Sequence, residues 1–174
     1  VTGVISQGAI STLVNLAENG NAYTITITDT TGVSTSALKS IASRTSLDLD
    51  AANVVSLAGK ASEISELYSI SNISGLGNEE LSLSSSISVT EANALDLLTS
   101  SLITAAVTPG TLSSFSSLAT SSNVFGITLT DSTFVSASDL KSLAGKTAGT
   151  LDATSIAAVS GTVAEMSALY AMTN

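Results

Sequence analysis

Apolar and polar positions alternate strictly over Tyr23–Thr28, YTITIT. A period of two predicts a strand with one face buried. Over the next stretch the spacing changes. Leu38, Ile41 and Ala42 fall on one face of a helix read from Thr35 to Arg44, and Ser34 stands where a hydroxyl can cap the first turn. The same succession of a β-favouring run and a short amphipathic helix recurs along the chain. Leu47–Leu57 is followed by Ala61–Ile70, with Ile64 and Leu67 inward. Leu81–Leu83 is followed by Thr90–Leu102, with Leu95, Leu98 and Leu102 at helical spacing. Ile103–Val107 is followed by Leu112–Ala119, with Leu112, Phe115 and Leu118 or Ala119.

The pattern repeats over longer distances too. Residues 25–72 align with 127–174 at an offset of 102, without a gap and with 22 identities in 48 positions. Upstream the offset holds more weakly, through Thr2/Thr104, Gly8/Gly110, Ser11/Ser113, Ala17/Ala119 and Asn21/Asn123. The chain therefore divides into a first period, 1–102, and a second, incomplete one, 103–174. Within a period the smaller strand–helix unit spans roughly 22–30 residues, a length typical of solenoid repeats. No helix of this length is stable alone, so each unit must bury its apolar face against its neighbours. The expected fold is an α/β repeat solenoid of short parallel strands and short helices, with right-handed crossovers. If runs such as 155–161, SIAAVSG, are helical instead, the alternative is a mostly α repeat stack.

Composition changes this picture in one respect: what the core is made of. Apolar residues make up 44% of 174, yet aromatics are only 3%. The core must come from Leu, Ile, Val and Ala, which suit thin repeated layers. Charge and missing residue types narrow the function. Fourteen acidic and five scattered basic side chains give a net charge of −9, with no basic patch for nucleic acid. There is no Cys, hence no disulfide or thiolate site, and no His, the commonest general base and neutral metal ligand. One Pro, Pro109, and few charges exclude a Pro-rich linker or a charged disordered tail. No run of about 18 apolar residues is present to span a membrane. The opening VTGVISQGAI has neither an initiator Met nor a charged leader region, so a mature product or an excerpt of a longer protein is expected.

Several short motifs touch on chemistry, and each has a plainer reading. Gly145-Lys146-Thr147 resembles the end of a phosphate loop, but Leu140 stands where the first Gly is needed, and the first copy has Ser43-Arg44-Thr45. Ser36–Lys39 and Ser138–Lys141 match S-x-x-K without the companion elements of serine acyl-enzymes. Gly75-Leu76-Gly77 reads as a turn. Asp48 and Asp50 could share a strand face and hold a hard cation, but only Asp50 has a counterpart, Asp152, and a turn-capping role is expected. Asn72-Ile73-Ser74 fits an N-glycosylation acceptor. The threonine row Thr24, Thr26, Thr28, echoed by Thr128 and Thr130, is too narrow for an ice-binding face and reads as solvent-facing β-propensity. Tyr68 and Tyr170, beside the inward Leu67 and Leu169, are expected half-buried. The expected catalytic, cofactor and metal residues are therefore none, and the expected protein is not an enzyme.

The phrases LDATSIAAVSGTVAEMSALY, ISGLGNEELSLS and VSASDLKSLAGKT resemble the tandem repeats of very large bacterial surface proteins, common in cyanobacteria. The resemblance implies secretion, a cell-surface or extracellular location, and a structural or adhesive role. It does not bring calcium, because the GGxGxD signature is absent. The expected partners are copies of this chain or neighbouring repeats of its parent, head to tail. The apolar residues expected at the two ends of the stack are Val4, Ile10 and Leu13, and Met166, Leu169 and Met172. A solenoid adhesin binding cell-surface glycans is the alternative, and a serine hydrolase a remote third.

Overall fold

The computed structural model describes residues 2–16, 21–119 and 122–173. Ala17 of the upstream alignment lies outside them. The order of elements is β1 (Thr2–Gly8), α1 (Ile10–Leu13), β2 (Ala22–Ile27), β3 (Val33–Ser34), α2 (Thr35–Ala42), β4 (Leu49–Asp50), β5 (Ser56–Gly59), α3 (Ala61–Tyr68), β6 (Ile73–Ser74), β7 (Glu80–Leu83), α4 (Val89–Leu95), β8 (Ile103–Ala106), a 3-10 turn (Leu112–Phe115), β9 (Val124–Thr128), β10 (Phe134–Ser136), α5 (Ala137–Ala144), β11 (Leu151–Asp152), β12 (Ala158–Ser160) and α6 (Val163–Tyr170). The fold is α/β with parallel strands, and the mostly α alternative fails at 155–161, where β12 forms. The chain makes two compact units, one up to Ser84 together with Leu95–Leu102, the other Ser85–Ala94 with Ile103 onward.

In the first unit β1, β2, β4 and β6 pair in that order, and β3, β5 and β7 in another row, all parallel. Partners across β2–β4–β6 and β3–β5–β7 lie 24 residues apart, as in Ile25↔Leu49, Leu49↔Ile73, Val33↔Leu57 and Leu57↔Leu81. The step from β1 to β2 is 20, Thr2↔Ala22. The second unit repeats both steps: β8 to β9 advances by 20, Thr104↔Val124, while β9 to β11 and β10 to β12 advance by 24, Ile127↔Leu151 and Phe134↔Ala158. Constant register places like residues in stacked columns. Ile25, Leu49, Leu57, Leu81, Leu38, Ile64 and Leu67 are buried in the first unit, and Phe125, Ile127, Phe115, Leu118, Leu140 and Leu143 in the second.

The helices start where the sequence allows a cap. Ser34 Oγ accepts from Ala37 N at 3.4 Å. At α4 and α6 a capping box closes reciprocally: Ser88 N donates to Glu91 Oε2 at 2.8 Å, and Thr162 N to Glu165 Oε2 at 2.7 Å, while each hydroxyl accepts from the Glu N–H.

Four sequence expectations need correction. Leu47–Leu57 is two short strands separated by a turn that Asp50 caps, because Ala52 N donates to its Oδ1 at 3.0 Å. The helix read as Thr90–Leu102 stops at Leu95, and Leu102 is exposed. Thr99 diverts the chain there: its hydroxyl donates to Glu79 O at 2.7 Å and accepts from Ser101 N at 3.1 Å. Leu112–Ala119 forms only a 3-10 turn, and Leu118 rather than Ala119 is buried. Val4 lies exposed on β1, with Leu13 the buried residue of that segment.

Candidate functional site

Most motifs that could carry chemistry are occupied by structural hydrogen bonds. Gly145 is the C-cap of α5 in right-handed helical conformation. The N–H groups of Gly145, Lys146 and Thr147 donate to Lys141 O, Leu143 O and Ala144 O. None points outward to cradle a phosphate. Lys146 Nζ donates to Ser116 O at 2.7 Å, and its counterpart Arg44 reaches Leu16 O. Both cations thus meet carbonyls at the foot of the helical turn one repeat earlier.

Ser138 and Lys141 line one open hollow of about 540 Å³ with Glu165 and Ala168, but the serine hydroxyls of both S-x-x-K pairs bond to other serines. Ser36 Oγ lies 3.0 Å from Ser34 Oγ, and Ser138 Oγ 2.7 Å from Ser136 Oγ. Lys39 pairs with Glu66 on α3, and Ala168 stands at the equivalent of Glu66 opposite Lys141. Asp48 and Asp50 both face away from the buried Leu49, but separately: Asp48 Oδ2 accepts from Ser74 Oγ at 2.9 Å, and Asp50 caps its turn. Asp152 repeats the cap with Thr154 N at 3.0 Å and Thr154 Oγ1 at 2.7 Å, and these bonds hold its carboxyl below the ordinary range. Among the described residues no group of three His, Cys, Asp or Glu side chains is placed to hold a metal. Asn72 Nδ2 donates to Ala42 O, Thr45 O and Leu47 O, so its amide is committed to the fold. Thr24 and Thr26 are half-buried, whereas Thr28, Thr128 and Thr130 are exposed.

Three polar features escape the sequence motifs. Thr45, Thr99 and Thr147 are buried at turns that precede strands. Thr147 Oγ1 accepts from Phe125 N and Gly149 N, both at 2.8 Å, with Asn123 O and Phe125 O within reach of its own proton. Thr45 does the same with Tyr23 and Leu47. Asp29 and Asp131 each accept at 2.7 Å from the first N–H of the helical segment one repeat earlier, Ile10 N and Leu112 N. Glu79 is fully buried, its carboxylate held by Gly77 N, Asn78 N and the Tyr68 hydroxyl. Burial, and then the bond to Glu79, push the Tyr68 phenol above its ordinary range. Gly75 turns the chain into this loop with φ 85°, and a Cβ there would come within 2.6 Å of Ala52 N. Polar identity between copies marks Thr45 with Thr147 and Asp29 with Asp131; Thr99 and Glu79 have no second copy to mark them.

Two hollows with apolar or aromatic lining stand out, both within the second unit. One is an apolar hollow of about 300 Å³ against α6, lined by Leu151, Ile156, Val159, Leu169, Tyr170 and Met172. Leu67 and Ile64 on α3 are fully buried, but their equivalents Leu169 and Met166 are only partly covered. Met172 is also half-buried. Tyr170, expected half-buried, is 82% exposed, whereas Tyr68 is covered as expected. The difference is the neighbour: β6 and β7 flank β4 and β5 in the first unit, and β11 and β12 have no such strand among the described residues. The other surface is a groove of about 500 Å³ between the 3-10 turn, β10 and α5. No helix among the described residues is long and apolar enough to cross a membrane. The chain matches no protein-family model, no curated protein and no solved structure.

Proposed function

We propose that this chain is a non-catalytic structural repeat module of a bacterial cell-surface or extracellular filament protein. In this reading it is a solenoid that associates end to end. One observation carries the reading: both units use the same parallel steps of 20 and 24 residues. A ladder with constant steps has no internal reason to close, and each layer presents its neighbour with the surface it received. The hollow against α6 is the place for a contact. Its occupant is a further repeat, supplied by a second copy or by the parent polypeptide, whose leading strand would extend the β9–β11 ladder as β6 extends β2–β4 in the first unit. Such a contact is heterologous and propagates when it does not close into a ring. The engagement of the Gly-rich and Asp motifs and of Lys39 in structural bonds favours a scaffold over an enzyme. Surface location rests on the sequence resemblance.

Sedimentation velocity over a concentration series tests the association. Reversible growth is expected, largely insensitive to salt because the meeting faces are apolar. Tyr170→Asp, at an exposed position in the hollow, should abolish it. A chain that stays monomeric at millimolar concentration refutes end-to-end assembly. Acylation of Ser36 or Ser138 by an activated ester, or stoichiometric metal at Asp50 or Asp152, refutes the non-catalytic scaffold. Antibody labelling of intact source cells tests the location.

A further inference from the structure

We infer that the groove between the 3-10 turn, β10 and α5 binds a neutral saccharide, with Phe134 as its stacking platform. The groove of about 500 Å³ falls within the range of roughly 300–1,000 Å³ typical of small-ligand sites. Its lining combines three kinds of group. Phe134 presents its ring from the outward side of β10, 77% exposed, while its neighbour Val135 is buried. Asp131 and Asp139 supply carboxylates, and Ser116, Ser136 and Ser142 supply hydroxyls. A sugar ring has an apolar C–H face, which the negative face of an aromatic ring attracts, and hydroxyls that both donate and accept. Carboxylates accept from those hydroxyls, and serine hydroxyls serve either direction.

The internal repeat separates what the fold needs from what this groove adds. Asp131 and Ser136 match Asp29 and Ser34, and Asp131 has its structural bond to Leu112 N. Seven other lining positions differ between the copies: four keep their character (Ile10/Leu112, Leu13/Phe115, Ile41/Leu143 and Arg44/Lys146), and three change it, with Phe134 for Gly32, Asp139 for Ala37 and Ser116 for Val14. These three changes add a ring, a carboxylate and a hydroxyl to the lining of one space. The first copy forms the corresponding strand and helix, β3 and α2, without Phe134 or Asp139, so those two elements do not require them. Charge selects against acidic ligands, since the one cation in the lining, Lys146, is engaged with Ser116 O. This site is independent of end-to-end stacking and could serve an adhesive role in either a monomer or a filament.

The test is saturation-transfer NMR and calorimetry on the whole chain with a panel of neutral oligosaccharides, alongside sialylated and sulfated glycans and small quaternary amines. Saturable binding of a neutral member is expected. Changing salt between about 0.05 and 0.5 M should leave it nearly unchanged, unlike a charge-driven contact. Phe134→Ala and Asp139→Ala should each weaken it by about tenfold or more, with unaltered circular dichroism and melting. Asp139→Ala restores the first copy's residue, so loss of fold is not expected there. Absence of binding by every neutral glycan up to about 10 mM overturns the inference. Undiminished binding by Phe134→Ala overturns it too, as does binding of amines alone that fades with salt.

Discussion

Thr147→Val tests whether buried hydroxyls, rather than apolar columns alone, hold the repeats in register. Valine keeps the shape and β-branching of threonine and deletes one oxygen. That oxygen accepts from Phe125 N and Gly149 N, both at 2.8 Å, at a site only 6% exposed. Each buried N–H left without a partner costs about 1–3 kcal/mol. Two such groups, less some relaxation, give an expected loss of about 2–5 kcal/mol. Thr147→Ser retains the oxygen and loses one methyl, which should cost about 1 kcal/mol. Urea unfolding followed by far-ultraviolet circular dichroism measures both, with the slope checked for equality so that midpoints are comparable. In a chain of this length, 1 kcal/mol corresponds to about 2–4 °C in melting temperature. Equal destabilisation by Val and Ser, or a Val variant within about 0.5 kcal/mol of the parent, would show that the hydroxyl is not a structural tie.

Leu67→Ala should cost about 2–5 kcal/mol, and Leu169→Ala distinctly less, because Leu67 is fully buried and Leu169 is not; equal losses by denaturant titration would refute the difference in packing. Gly75→Ala should destabilise by more than about 1 kcal/mol, since φ is 85° and Ala52 N blocks the Cβ; a neutral effect on the melting temperature would exclude that backbone. The capping bonds from Thr162 N and Oγ1 lower the Glu165 pKa, so their stabilisation is present above the unfolded value and lost as pH falls through the folded one. Carbon-detected NMR titration should place the Glu165 carboxyl below the ordinary range in the parent and somewhat nearer to it in Thr162→Val, which keeps the larger backbone N–H bond and lacks the hydroxyl bond; an unchanged value would remove the hydroxyl bond as a cause.

Elements written in local periodicity were legible from sequence. YTITIT gave β2, and Ser34 with Leu38, Ile41 and Ala42 gave α2 and its cap. Elements decided by distant partners were not. The spacing of Leu95, Leu98 and Leu102 is helical, yet Thr99 bonds to Glu79, 20 residues back, and ends that pattern. Asn72 looked like a glycan acceptor because the three carbonyls it serves lie 25 to 30 residues away. The groove at Phe134 was illegible for a related reason. Its lining comes from 112–116, 131–136 and 139–146, and only the parallel steps bring those stretches together. Comparing the copies for polar identity, and then for polar departure, would have marked the ties and the groove respectively.

The 24-residue step has a mechanical consequence. Strands that pair only with partners one step away transmit tension across short, parallel rows of hydrogen bonds. Pulling from one end loads those rows nearly one at a time instead of shearing a long ladder at once. Each row that fails frees about 24 residues of chain, or about 80 Å of new contour length at full extension. Within each unit the chain would then yield in small increments set by its 20- and 24-residue steps.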